Sequence, residues 1–167
     1  MHVRPVVAAD AAALARIHVA AWRSAYVGLM PDAYLAQLDE SRFERGWEIA
    51  IDEGVSTMLA GVIDEQVKGF ATLGDARDED PVASGQLYAF NLLPATFGSG
   101  LALELHGAAL ASLSGAGHDA AYLWVAERNP RARRFYEREG WTLDEGTKTE
   151  EFGGRELVEV RYVRATS

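Results

Sequence analysis

From Asp10 to Trp22, apolar residues return with a helical period: Leu14, Ile17 and Ala21 form one stripe behind a capping Asp10. Ahead of it, Met1 to Val7 alternates weakly and reads as an edge strand, its pairing limited by Pro5. Gly28 and Pro31 break the chain, and Asp32 then caps a short helix carrying Leu35 and Leu38. Ser41 followed by Glu44 forms a capping box, with Phe43, Trp47 and Ile51 as the apolar face behind it. The period then becomes extended. Residues 55–63 and 66–73 read as strands joined at Asp64-Glu65, and an acidic connection over 75–81 leads to a third strand, 86–93. Pro94 and a glycine-bearing loop open a helix over 100–114, ended by Gly115 and Gly117. A short apolar strand, 120–125, and a helix, 130–139, follow. The chain finishes as a hairpin, 142–152 and 155–164, turning at Gly153-Gly154. This succession predicts one α/β domain over residues 1–167, with a mixed, strongly twisted central sheet flanked by helices.

Composition narrows the classes. A chain of 167 residues, 49% hydrophobic and 25% charged, has the make-up of a globular protein able to bury a core unaided. No apolar run approaches the roughly 20 residues that span a bilayer, and no basic-then-apolar export pattern opens the chain, so a cytoplasmic location is expected. With no cysteine, disulfides, cysteine zinc sites and a cysteine nucleophile are excluded. His2, His18, His106 and His118 are scattered without metal-ligand spacing, so no metal is expected. A net charge of −9 argues against a nucleic-acid partner and suits a cationic substrate.

Chemistry concentrates in two stretches. In the first, a buried strand ends at Pro94 and a helix begins near Gly100. Gly98 and Gly100 let backbone approach a ligand closely, and free N–H groups at the positive end of the helix suit a phosphate or pyrophosphate. A tight turn that binds nothing has the same sequence. A Walker loop is excluded for want of a lysine. A Rossmann fingerprint is excluded because Leu103 stands where its third glycine belongs, and Asp119 precedes the next strand instead of ending it. In the second stretch Asn129 caps a helix with Pro130 at its first position, and Gly140 ends it. Asn129 and Tyr136, seven residues apart, lie near one side of that helix. Taken alone, Asn129 is a cap, and Phe135 and Tyr136 are core aromatics.

Together, on one chain, the two stretches resemble the acyl-CoA core of the GNAT superfamily of N-acetyltransferases, and the element order extends the likeness over nearly the whole chain. The family's pyrophosphate loop, Arg/Gln-x-x-Gly-x-Gly/Ala, maps to Phe97, Gly98, Ser99, Gly100, Leu101 and Ala102. The strand Phe90-Asn91-Leu92 corresponds to the one that pairs with the pantetheine amides. Asn129 matches the family's cofactor-side asparagine, and Tyr136 its thiol-facing tyrosine, the catalytic residue. Two departures stand out: Phe97 replaces the usual Arg/Gln, and Trp124 occupies the position where some relatives carry a glutamate base.

The resemblance implies acetyl-CoA as acyl donor and a primary amine, on a small molecule or peptide, as acceptor. A lysine-like amine is neutral in only about one part in 2,500 at pH 7, so a base or a desolvating site matters. Direct attack by the amine is expected, since there is neither a cysteine nor a Gly-x-Ser-x-Gly elbow. Glu127, Asp75, Asp78, Glu79, Asp80 and a bound water are the candidate bases. Trp22 and Tyr26 are the candidate acceptor contacts; packing of the first helix onto the sheet would account for them equally. Arg128, Arg131, Arg133, Arg134 and Arg138 reach either the cofactor's 3′-phosphate or, for most of them, solvent on a helix face laced with Glu137 and Glu139. A CoA-binding module without turnover is the rival reading. Leu157, Val158, Val160, Tyr162 and Val163 give the last hairpin enough apolar surface to suggest a homodimer.

Overall fold

Turn chemistry sets the first hairpin. In the computed structural model, which describes residues 1–167, Asp64 and Glu65 both take left-handed φ, 48° and 58°, and join β2 (Thr57–Ile63) to β3 (Gln66–Asp75). Seven strands form one sheet in the order β1-β2-β3-β4-β5-β7-β6. Here β1 is His2–Pro5, β4 Gly85–Leu92, β5 Ala120–Ala126, β6 Thr142–Phe152 and β7 Arg155–Ala165. Every neighbouring pair is antiparallel except β4 and β5, the join made by a crossover helix.

Two helical layers cover the sheet. On one face lie α1 (Ala11–Ala25), α2 (Asp32–Ala36) and α3 (Glu40–Glu53). Leu14 and Ile17 of α1 pack on Ala60, Val62, Val67 and Phe70, while Phe43, Trp47 and Ile51 of α3 are only half-buried. On the other face are α4 (Leu101–Gly115) and α5 (Pro130–Arg138). Leu101, Leu105, Ala109 and Leu113 of α4, with Tyr136 of α5, build the larger core over Leu73, Leu87, Leu123 and Val160.

The elements match the expected ones to within a few residues; three caps differ. Asp39, not Ser41, caps α3 by accepting from the Ser41 N–H at 2.9 Å. Asp39 has extended dihedrals while Ser41 is already helical, so Ser41 is a donor to the cap. Pro31 holds the N-cap position of α2 and Asp32 lies inside it. Asp10 caps nothing in α1. Its carboxylate accepts from Val7 N–H and pairs with Arg4 at 2.7 Å, tying β1 to the helix start.

The apolar hairpin also resolves differently from the expectation. Strand β7 lies inside the sheet, so Leu157 packs toward Met30 and Leu35, and Val160 and Tyr162 toward α4 and α5. Three of the five residues that suggested a dimer are thus buried within the chain; Val158 remains exposed.

Candidate active site

Strands β4 and β5 pair only from Gly85–Ala121 to Leu87–Leu123, although β4 continues to Leu92 and β5 to Ala126. The parting has a local cause. Thr72 faces Ala89 while Leu73 faces Leu87, so Tyr88 is an extra residue bulged out of the β3–β4 ladder where the β5 pairing stops. A bulge sharpens strand twist and bends the chain, turning β4 away from its parallel neighbour. Beyond it, Leu93 N–H bonds the Lys68 carbonyl at 2.8 Å and Leu92 sits opposite Gly69. Alternation then aims the amides of Phe90 and Leu92 at the edge facing β5, where no strand answers them.

The glycine loop lies at the end of this opening. Gly98 and Gly100 have φ of 82° and 92°, the left-handed region that favours glycine, and a Cβ at Gly98 would meet nothing within 4 Å. The N–H groups of Gly98, Gly100 and Ala102 have no partner in the chain; that of Leu101 is taken by Ser99 Oγ at 3.3 Å. Three unpaired donors at the start of a 15-residue helix are the kind of array that suits an anion. Of residues 97–102, then, Gly98, Gly100 and Ala102 offer free backbone donors, whereas the Ser99 N–H bonds the Thr96 carbonyl at 3.1 Å; Phe97 contributes a side chain instead. Its ring is exposed and carries the Arg131 guanidinium 3.7 Å from the centroid.

That contact joins the loop to α5, and a second joins β4 to it: Phe90 stacks on Phe135 with centroids 5.7 Å apart and planes 20° from parallel. Asn129 caps α5, its Oδ1 accepting from Ala132 N–H at 3.2 Å, and its side-chain amide is left without a partner. Tyr136 is buried among Phe90, Phe135, Trp141 and Tyr162. Its hydroxyl bonds to nothing in the chain and is not fully occluded. Burial raises its pKa well above that of a free phenol, with Tyr26 adding to the effect, so the group stays protonated at neutral pH.

On the opposite face α1 ends at Tyr26, half-buried and edge-on to Trp22 at 5.2 Å; Trp22 in turn meets Phe152 at 5.7 Å. Both expected acceptor residues belong to the packed cluster around Met30 and Leu35. Burial, then the charges of Glu159 and Glu150, raise the Tyr26 pKa to about 12. Of the candidate bases, Asp78 is drawn in: its Oδ2 accepts from the Trp124 indole N–H at 2.9 Å. Asp75, Glu79, Asp80 and Glu127 keep exposed or part-exposed positions outside this cluster.

A charged group on the last hairpin lies beside Trp124 and escaped the sequence reading. Lys148 stands directly opposite Glu159, bonded to it at 3.2 Å and to Glu150 at 3.1 Å, its Nζ 5.1 Å from the Trp124 ring. Burial raises the Glu159 pKa, with Lys148 opposing. Arg161 pairs with Asp144 at 2.8 Å and also faces Trp124. The signal was present: a two-residue turn at Gly153-Gly154 fixes the register and brings these positions across from one another.

Residues 15–141 match the Acetyltransferase (GNAT) family. The chain belongs to that family. It is 35% identical over 130 residues to the uncharacterised N-acetyltransferase YuaI of Bacillus subtilis (strain 168), covering 77% of this chain and 73% of YuaI. In fold it resembles yncA of Salmonella typhimurium, solved with its cofactor acetyl-CoA, with a TM-score of 0.72, 18% identity and coverage of 100% of this chain and 94% of that one. The paia N-acetyltransferase of Thermoplasma acidophilum, in complex with coenzyme A, aligns with a TM-score of 0.69, 16% identity and 98% coverage of both chains. This GNAT protein is an acyltransferase enzyme.

Proposed function

We propose that this enzyme moves the acetyl group of acetyl-CoA to a primary amine of a small molecule or peptide by direct attack. The observation that carries the reading is the parted pair β4 and β5, with Phe90 and Leu92 amides free along the opening and those of Gly98, Gly100 and Ala102 free at its end. The latter three would hold the pyrophosphate, and the β4 edge would hold the pantetheine amides as an added strand does. The bound thioester supplies an activated acetyl group. An amide on the β4 edge polarises its carbonyl. As the N–C bond forms and the C–S bond breaks, Tyr136 donates to the departing sulfur. Trp22 and Tyr26 bound the acceptor side, and Asp78, bonded to the Trp124 indole, and Glu159, paired with the Lys148 that lies over that ring, are the carboxylates available to take the amine proton. An acidic mouth of this kind favours a cationic acceptor.

Saturating acetyl-CoA should raise the melting temperature, because a ligand of the folded state stabilises by mass action. A panel of amines, with free thiol monitored, should then give turnover. Absence of any thermal shift refutes the cofactor assignment; a shift with no thiol release from any amine favours the non-catalytic rival. For association, β6 ends the sheet and Leu143 is exposed on it. A homodimer across that edge is our reading, and a single 18.2 kDa species in sedimentation would refute it.

A further inference from the structure

The five arginines on or beside α5 are not equivalent. Arg133 is spent on Tyr162 Oη and the Glu127 carbonyl, both at 3.0 Å, and Arg138 pairs with Glu139 at 3.3 Å. Arg128 and Arg134 are exposed, and neither lies over an aromatic ring as Arg131 does. Arg131 alone crosses to the glycine loop, its guanidinium 3.7 Å over the Phe97 ring. None of its N–H groups bonds within the chain, and no carboxylate pairs with it.

Its place on α5 is electrostatically poor. Arg131 sits in the first turn, where helix N–H dipoles repel a cation, and that turn holds no acidic residue. Phe97 is equally out of keeping, a large exposed aromatic directly before Gly98. Each anomaly explains the other. A planar ring orients a planar guanidinium and leaves its edge donors free for an anion.

Resting on the proposed acyl-CoA reading, we infer that Arg131 is a phosphate-binding residue for the donor's pyrophosphate, with Phe97 its positioning platform. The cation that relatives carry within the loop is here delivered from α5, stacked on the residue that replaced it. The guanidinium adds charge-assisted bonds to those of the three loop amides, and its charge makes affinity salt-dependent.

Calorimetric titration of the full chain with CoA and with dephospho-CoA, which lacks the 3′-phosphate, tests this. Arg131→Ala should weaken both ligands equally, by about ten- to a hundredfold, the range for a charge-assisted bond. Phe97→Leu should weaken both less; Phe97→Tyr, which keeps the platform, should restore affinity. The double variant Arg131→Ala/Phe97→Leu should be no worse than Arg131→Ala alone, and Phe97→Arg added to Arg131→Ala should recover binding. Without ligand, Arg131→Ala should melt no lower than the parent, because its cation does not help the helix. Unchanged CoA affinity in Arg131→Ala overturns the inference, as does a loss confined to CoA, which would move the contact to the 3′-phosphate. A lower melting point of the ligand-free variant would mark the stack as structural. Failure of the parent protein to bind CoA would sink the functional reading itself.

Discussion

Two histidines, the buried His106 and the half-buried His18 with its ring nitrogens occluded, should make this protein lose stability as the pH falls below neutrality. His18 lies among Trp22, Phe43, Trp47 and Phe70, with both ring nitrogens occluded and without a partner. His106 lies behind Phe90 and Phe135, its Nε2 accepting from the Trp141 indole N–H at 2.8 Å. Burial lowers each pKa from 6.5 to about 4, helped at His106 by Arg164. A group whose folded pKa is depressed leaves stability intact above its unfolded pKa and removes it as pH falls toward the folded one. The window is therefore pH 6.5 down to about 4. Over that interval each histidine costs about 3 kcal/mol, a large part of a typical domain's 5–15 kcal/mol. Glu159, raised by burial, acts in the opposite sense; Asp10, lowered by its bond to Arg4, matters only below the ordinary aspartate range. Urea unfolding at pH 8, 6.5, 5.5 and 4.5 reads the effect directly. His18→Leu should remove roughly half of the slope without loss at pH 8, because it deletes two unsatisfied nitrogens and no bond. Stability that stays flat from pH 6.5 to 4.5, or an unchanged slope in His18→Leu, refutes the reasoning.

Gly100→Asp should cost about 1–2 kcal/mol of stability from its left-handed φ. It should also weaken CoA binding at least about tenfold by setting a carboxylate against the phosphate cradle, whereas Gly100→Ala shares only the strain. Equal CoA affinity in the two variants would place the anion elsewhere. Tyr136→Phe should leave CoA affinity nearly intact and lower kcat roughly a hundredfold, since it removes a donor with no bond in the chain; normal turnover would make Tyr136 a core aromatic only. If Glu159 takes the amine proton, kcat/KM should fall on the acid side at a pH above the ordinary glutamate value, as its raised pKa dictates. Glu159→Gln should abolish that limb, and a profile unmoved by the substitution assigns the proton to Asp78.

Much of this was written in local sequence. Asp64-Glu65, Gly153-Gly154, Asn129-Pro130 and Gly140 are short-range signals, and each marks the turn or cap it predicted because its physics involves only its neighbours. The caps that failed did so by competition: Asp10 found Arg4 on another element, and Asp39 stood two residues before Ser41. The left-handed turn and free amides of the glycine loop were legible because conformation and unpaired N–H groups are properties of the backbone. Arg131 over Phe97 and Asp78 under Trp124 were not, since residues 34 and 46 positions apart meet only through tertiary packing.

The opening itself shows how one residue's register creates a site. Each parted strand keeps one partner, β4 holding β3 as far as Leu92 and β5 holding β7 as far as Ala126, so the sheet loses only the ladder between them. That loss would expose two edges to water were the gap not lined. Phe90, Phe135 and Tyr136 pack against one another beside it, leaving the backbone donors of β4 next to an aromatic cluster. The bulge at Tyr88 is held from outside: its hydroxyl donates to the Asp75 carbonyl at 2.5 Å, and Arg77 lies 3.5 Å over its ring. The acidic connection that brings Asp78 to the Trp124 indole is thus anchored on the residue that opens the sheet, so parting of the strands and placement of that carboxylate share one structural cause.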